Sequence, residues 1–155
     1  MASAEAKVAE LKLALPEPPK PAGTYVHSVR TGNLLYISGA GPRLPDGSYA
    51  HGKVGADVTI EQAQGHARLV GLVHLGIIRA ALGSLDRVVR IVKVLGMVNA
   101  VPEFTEQPKV IDGYSNLMVE VFGDAGRGAR SAVGLGSLPF QITVEIEAIF
   151  EVSSS

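Results

Sequence analysis

Close to the C-terminus, one arginine and three carboxylates interrupt an otherwise apolar run, GARSAVGLGSLPFQITVEIEAIFEV, Gly128 to Val152. Arginine presents a rigid planar fork that grips a carboxylate through two parallel hydrogen bonds and keeps its charge in a partly buried cleft. A glutamate can take a proton from water. Arg130 with a nearby glutamate would therefore hold a small carboxylate ligand and activate a water beside it. On a strand, residues two apart share a face, so Glu145, Glu147 and Glu151 point one way while Val144, Ile146, Ala148, Phe150 and Val152 point the other. Two readings stay open from this pattern. It is either a sheet with one wet face, or a site in which Arg130 and a carboxylate are held on neighbouring strands.

Other chemistry-bearing residues give weaker signals. His66 and His74 are eight apart, and neither has a histidine at the i+4 spacing of helical zinc motifs, so the four histidines, His27 and His51 included, are read as non-ligands. GRGAR, Gly126 to Arg130, is glycine-rich but lacks the flanking pattern of a phosphate loop. Its expected role is to bring backbone close to the site. The chain has no cysteine, which removes disulfides, thiolate metal sites and thiol nucleophiles together. No metal or cofactor is implied.

A chain of 155 residues is expected to form one domain with its own core. Its 46% hydrophobic and 19% charged residues are those of a globular protein, with an apolar surplus that suggests an oligomer interface. The formal charge of −1 supplies no large footprint for nucleic acid or an anionic membrane. With no basic leader and no apolar run of spanning length, a soluble cytoplasmic protein is expected.

The elements that must position these side chains are legible from periodicity and punctuation. A short helix with Ser3 as N-cap is predicted within Ala2 to Leu15, stopped by Pro16 and followed by the extended connector PEPPKPAG. Residues 1–21 are expected to stand apart from a domain spanning 22–152. Few backbone hydrogen bonds should join them, and the segment should be dispensable for folding. Tyr25 to Arg30 and Asn33 to Ala40 read as a hairpin, and Gly41 to Thr59 as a loop with a short strand at Gly52 to Val54. Thr59 caps a long helix, Ile60 to Leu82, and Gly83 ends it. Gly65, Gly71 and Gly76 within that helix suggest close packing against a neighbour. Val88 to Ala100 reads as a buried strand, Pro108 to Phe122 as a second long helix, and Arg130 to Leu135 and Thr143 to Val152 as two further strands. The resulting order places helices on one face of a mixed sheet, an α+β fold.

The C-terminal run resembles the signature of the Rid, or YjgF, family: an A-R-S-x-V segment, a Leu-Pro, and a V-E-I-E-A strand. Arg130 and Glu145 stand fifteen apart, as in that motif, with Leu138-Pro139 between them. AGTYVHSVRTGNLLYISGAGP is similar to the family's Tyr-containing first strand and its I-S-G-x-x-P turn. The resemblance covers most of residues 22 to 152. It implies a chorismate-mutase-like fold, a mixed sheet backed by two helices, in a barrel-like homotrimer with sites between subunits. It implies hydrolysis of reactive 2-enamine and 2-imino acids to 2-keto acids and ammonia, without metal or cofactor. Arg130 and Glu145 would be catalytic, with Arg130 also holding the substrate carboxylate, and Tyr25, Ser38 and Asp112 would contact substrate.

The chain departs from the family pattern at several of these positions. Gly128 stands where proline is common, His27 replaces a glutamine, Ala40 follows Ser38-Gly39 where glutamine is familiar, and Asp112 falls where a neutral asparagine is usual. These changes mark a divergent subfamily. They leave two alternatives beside the deaminase, a non-catalytic trimer that senses small carboxylates and the endoribonuclease with which the family is also labelled. The last would need a basic groove.

Overall fold

The computed structural model describes residues 2–154. Helix α1 (Ala4–Glu10) precedes a hairpin of β1 (Ser28–Thr31) and β2 (Leu34–Ala40). Then follow α2 (Ile60–Leu82), β3 (Val88–Asn99), α3 (Gln107–Phe122), β4 (Ala129–Leu135) and β5 (Val144–Val152). The five strands form one sheet in the order β1-β2-β5-β3-β4. All neighbours are antiparallel except β3 and β4, which run parallel because α3 carries the chain back between them.

The long helices end where the expected signals stand. The Thr59 hydroxyl accepts from the Gln62 backbone N–H while the Gln62 side chain accepts from that of Thr59, and Gly83 closes α2 at φ 84°. Both long helices lie on one face of the sheet. Val94, Val98, Ile146, Ala148 and Phe150 pack there against Val70, Ile77, Ile111, Leu117 and Met118. The helices approach closely because of two glycines. A Cβ on Gly113 would sit 2.0 Å from the Gln64 carbonyl oxygen, and one on Gly71 would sit 2.7 Å from the Leu117 side chain. Gly65, by contrast, faces open space and takes no part in this packing.

Two expectations need correction. The stretch from Gly52 to Val54 is no strand; His51 and Val54 make isolated bridges to Ile142 and Ala100. The N-terminal segment is also not loosely attached. Val8 is buried in the main core, the Glu5 carboxylate accepts from Arg79 and from the Leu85 backbone N–H, and Arg43 donates to the Glu17 carbonyl at 2.8 Å. The prolines that deny this segment helix or ladder bonds do not prevent side chains from tying it down.

Candidate functional site

A cleft of about 1030 Å³ opens where β2 and β5 meet the loops around Tyr49 and Phe140. Its shape originates in a β-bulge. Ile37 pairs with Ala148 and Ala40 with Ile146, so Ser38 and Gly39 together oppose a single residue of β5. The bulge brings its backbone against a carboxylate: a Cβ on Gly39 would lie 2.6 Å from Glu145 Oε2, a space that only glycine leaves free. Ser38 is fixed on both sides, its backbone N–H donating to the His27 carbonyl at 2.9 Å and its hydroxyl to the Val26 carbonyl at 2.6 Å.

Glu145 is partly buried in this cleft, and Glu147 shares the lining. Burial, and then the neighbouring charge of Glu147, raises the Glu145 carboxyl above the ordinary range. A carboxylate shifted in that direction is a better proton acceptor near neutrality. Tyr25 stands on the same wall, with its hydroxyl accepting from the Ala22 backbone N–H at 3.1 Å and its ring edge-on to His27 at 6.1 Å between centroids. His27 in turn contacts the Pro19 carbonyl.

Behind the cleft lies a sealed polar pair. His74 and Tyr114 are fully buried, with Nδ1 of His74 2.8 Å from the Tyr114 hydroxyl. Burial depresses the His74 imidazole to about 4, against an opposing pull from the Ser38 and Ile146 carbonyls. Burial raises the Tyr114 phenol in turn. Both groups are neutral, and they connect α2 and α3 beneath the bulge.

Arg130 occupies a different place. It lies on the edge strand β4, and its side chain is only 24% exposed. Its Nη1 donates to Asp112 Oδ1 at 2.7 Å and to Ser115 Oγ at 3.2 Å, and Nη2 reaches the Pro108 carbonyl at 3.4 Å. It therefore leans on the helical side of the sheet, as does Val94, its pairing partner. Glu145 points to the opposite side. Met97 opposes both Glu145 and Val133, and Arg130 is three residues from Val133, an odd step that turns it to the other face. Strand β3 also separates β4 from β5. The expectation of Arg130 and a carboxylate on neighbouring strands is thus corrected. One chain brings Tyr25, Ser38 and Glu145 together and brings Arg130 and Asp112 together, but it does not join the two groups.

The cleft also contains residues that sequence reasoning did not select: Tyr49, His51, Phe140 and Glu147. Glu147 was visible in the alternation of β5, where it reads as an exposed strand position. The others sit in the loops after β2 and before β5, and no local pattern points to them. Among the described residues no group of histidines or acids is arranged to hold a metal ion, and no helix is long and apolar enough to cross a membrane.

Comparison with known proteins agrees with this fold. The family model described as "YjgF/chorismate_mutase-like, putative endoribonuclease" matches residues 5–147. Protein TCP17 of Trypanosoma cruzi is 41% identical over 150 residues, covering 96% of this chain and 94% of its own. The crystal structure of Atu1372 from Agrobacterium tumefaciens, 44% identical, superposes with a TM-score of 0.88 over 97% of this chain and 94% of its own. The Escherichia coli protein TdcF, solved with bound serine, is 25% identical and gives a TM-score of 0.65 over 88% of this chain and 94% of its own. By its sequence and its fold, this chain belongs to the YjgF/chorismate mutase-like family, known also as Rid.

Proposed function

We propose that the chain hydrolyses reactive 2-enamine and 2-imino acids to 2-keto acids and ammonia, at sites completed between the subunits of a homotrimer. The observation that carries this reading is Glu145: a partly buried carboxylate with a raised pKa, set against the Gly39 backbone in an open cleft. The carbon of a C=N bond is already electrophilic, so a positioned water, a base and a handle on the substrate suffice. Water attacks that carbon as Glu145 takes its proton. The proton passes to the nitrogen, and the resulting carbinolamine expels ammonia to leave the keto acid.

The handle is Arg130 of a second copy. The sheet face away from the helices is uncovered and partly apolar, with Val29 56%, Tyr36 43% and Val133 41% exposed. Such a face suits burial against an identical sheet. A neighbour seated there brings its arginine edge toward the cleft. The small-molecule reading is also supported by TdcF, whose structure holds serine.

A second reading is favoured by Asp112, which already occupies part of the Arg130 fork. In that reading the trimer binds small carboxylates without turning them over. An RNA-cleaving role has less support, since the cleft's lining includes two glutamates that repel phosphate.

The experiment generates 2-iminopropionate in place with an amino-acid oxidase and traps it with semicarbazide. A deaminase lowers the trapped fraction, and Arg130→Ala abolishes that effect while weakening 2-keto acid binding roughly tenfold to a hundredfold. Keto acid binding through Arg130 with an unchanged trapped fraction, across several imino acids, would replace the catalytic reading with the sensor.

A further inference from the structure

The turn after Leu138-Pro139 carries two successive residues other than glycine in the left-handed region, Phe140 at φ 56° and Gln141 at φ 55°. A bulky residue with that backbone is strained and persists only where its surroundings impose the conformation. Here they do. The Gln141 N–H donates to the Leu138 carbonyl at 2.9 Å, its own carbonyl accepts from the Gly52 N–H at 2.9 Å, and its side-chain oxygen accepts from Asn99 Nδ2 at 3.1 Å. The Phe140 carbonyl lies 2.9 Å from His51 Nδ1. Asn99 is wholly buried and is itself held by Lys53 Nζ at 2.8 Å.

This braced turn presents a bare phenyl ring. Phe140 is 78% exposed and lies on the cleft lining with Tyr25 and Tyr49. An exposed aromatic side chain on a braced backbone, in a cleft that two further aromatic rings also line, gains most from covering by a planar apolar group. The cleft is also far larger than a three-carbon acid fills, being of the size that takes whole drug-like ligands. Glu145 and Glu147 repel a ligand carboxylate, so the acid end of a ligand points away from them and its side chain is left to the aromatic wall.

We propose that Phe140, with Tyr25 and Tyr49, forms a subsite for an aromatic or bulky apolar ligand side chain, so that the cleft prefers aryl-bearing 2-keto and 2-imino acids to pyruvate-sized ones. The acid end of this statement rests on the function proposed above. The aromatic subsite stands on the cleft alone.

The test uses three probes on wild-type protein and Phe140→Ala: phenylpyruvate and pyruvate by calorimetric titration, and phenylacetamide, which has no carboxylate, by saturation-transfer NMR. Wild type should bind phenylpyruvate about tenfold more tightly than pyruvate. Phe140→Ala should remove most of that ratio without changing pyruvate affinity, and should abolish saturation of the phenylacetamide ring protons. An equal ratio in both proteins, or phenylacetamide signals that are absent from wild type or unaffected by the substitution, would overturn the subsite. A change in oligomeric mass for Phe140→Ala would overturn it too, since the ring would then be an interface contact. If phenylacetamide depends on Phe140 while the keto acids ignore Arg130→Ala, the subsite stands and the carboxylate handle fails.

Discussion

The two faces of β5 are built from alternate residues of one strand, yet their surroundings differ completely. On one face Val144, Ile146 and Phe150 are sealed beneath α2 and α3, together with the neutral pair His74 and Tyr114. On the other, Glu145 and Glu147 line an open cleft. The first face obtains its free energy from burial and tolerates no charge, so its histidine is held neutral. The second face leaves its carboxylates on the wall of the cleft, short of full burial. Changes to the buried residues that β5 packs beneath α2 and α3 should therefore alter stability and leave the cleft's chemistry alone, while changes to the cleft-lining carboxylates of β5 should do the reverse.

The largest stability effect is expected from the outer cover of the helical layer. Deleting residues 2–15 removes the buried Val8 and the Glu5 carboxylate from Arg79, but keeps Pro19 and Lys20 at the cleft. Thermal or denaturant unfolding should show a loss on the order of 4 kcal/mol. Ligand affinity per folded molecule should not change. An unaltered melting temperature would return the segment to the loosely attached state that its prolines suggest.

Acid should reach the same face next. His74 titrates near 4 in the folded chain against an ordinary 6.5, because burial disfavours its charged form. Between those values the unfolded chain binds more protons than the folded one. The stability present above about 6.5 is then lost as pH falls toward 4, by up to about 3 kcal/mol. His74→Phe should flatten this part of the stability profile, whatever it does to the midpoint at neutral pH. A slope identical to wild type would place the acid sensitivity elsewhere.

A smaller and opposite signature belongs to the open face. Glu147 adds to the burial that raises the Glu145 carboxyl, so in Glu147→Gln the acid limb of the pH–rate profile for the proposed imine hydrolysis should move downward. Melting temperature should barely respond. A shift in the melting temperature without one in the pH profile would reverse the assignment of the two faces.

Much of this division was legible in the sequence because it is local. The alternation of Val144 to Val152 shows which residues of β5 share a face, Thr59 and Gly83 bracket α2, and the spacing of Arg130 and Glu145 carries the family likeness. What sequence could not supply depends on pairing across the sheet. Whether Arg130 and Glu145 share a face is decided by the register of β3 against both β4 and β5, a long-range property with no local signal. The cleft's aromatic wall escapes for a related reason: the left-handed backbone at Phe140 is imposed by Asn99, His51 and Gly52, which are distant in sequence. Close packing at Gly71 was readable from its place in an apolar helix, but the same inference failed at Gly65, where nothing approaches.

The separation of Arg130 from Glu145 within one chain makes completion of the site by a second copy the central claim, and mixing two inactive variants tests it most directly. Arg130→Ala and Glu145→Gln are each purified, unfolded and refolded together in equal amounts, and imine hydrolysis is measured by semicarbazide trapping. If each site takes its arginine from one subunit and its glutamate from the next, random assembly gives about one quarter of the sites both native residues. Activity should then rise from near zero in either parent to about that fraction of wild type. A mixture as inactive as its parents, with wild type active and native mass spectrometry showing mixed oligomers, would mean that both residues act within one chain and would contradict the intersubunit site.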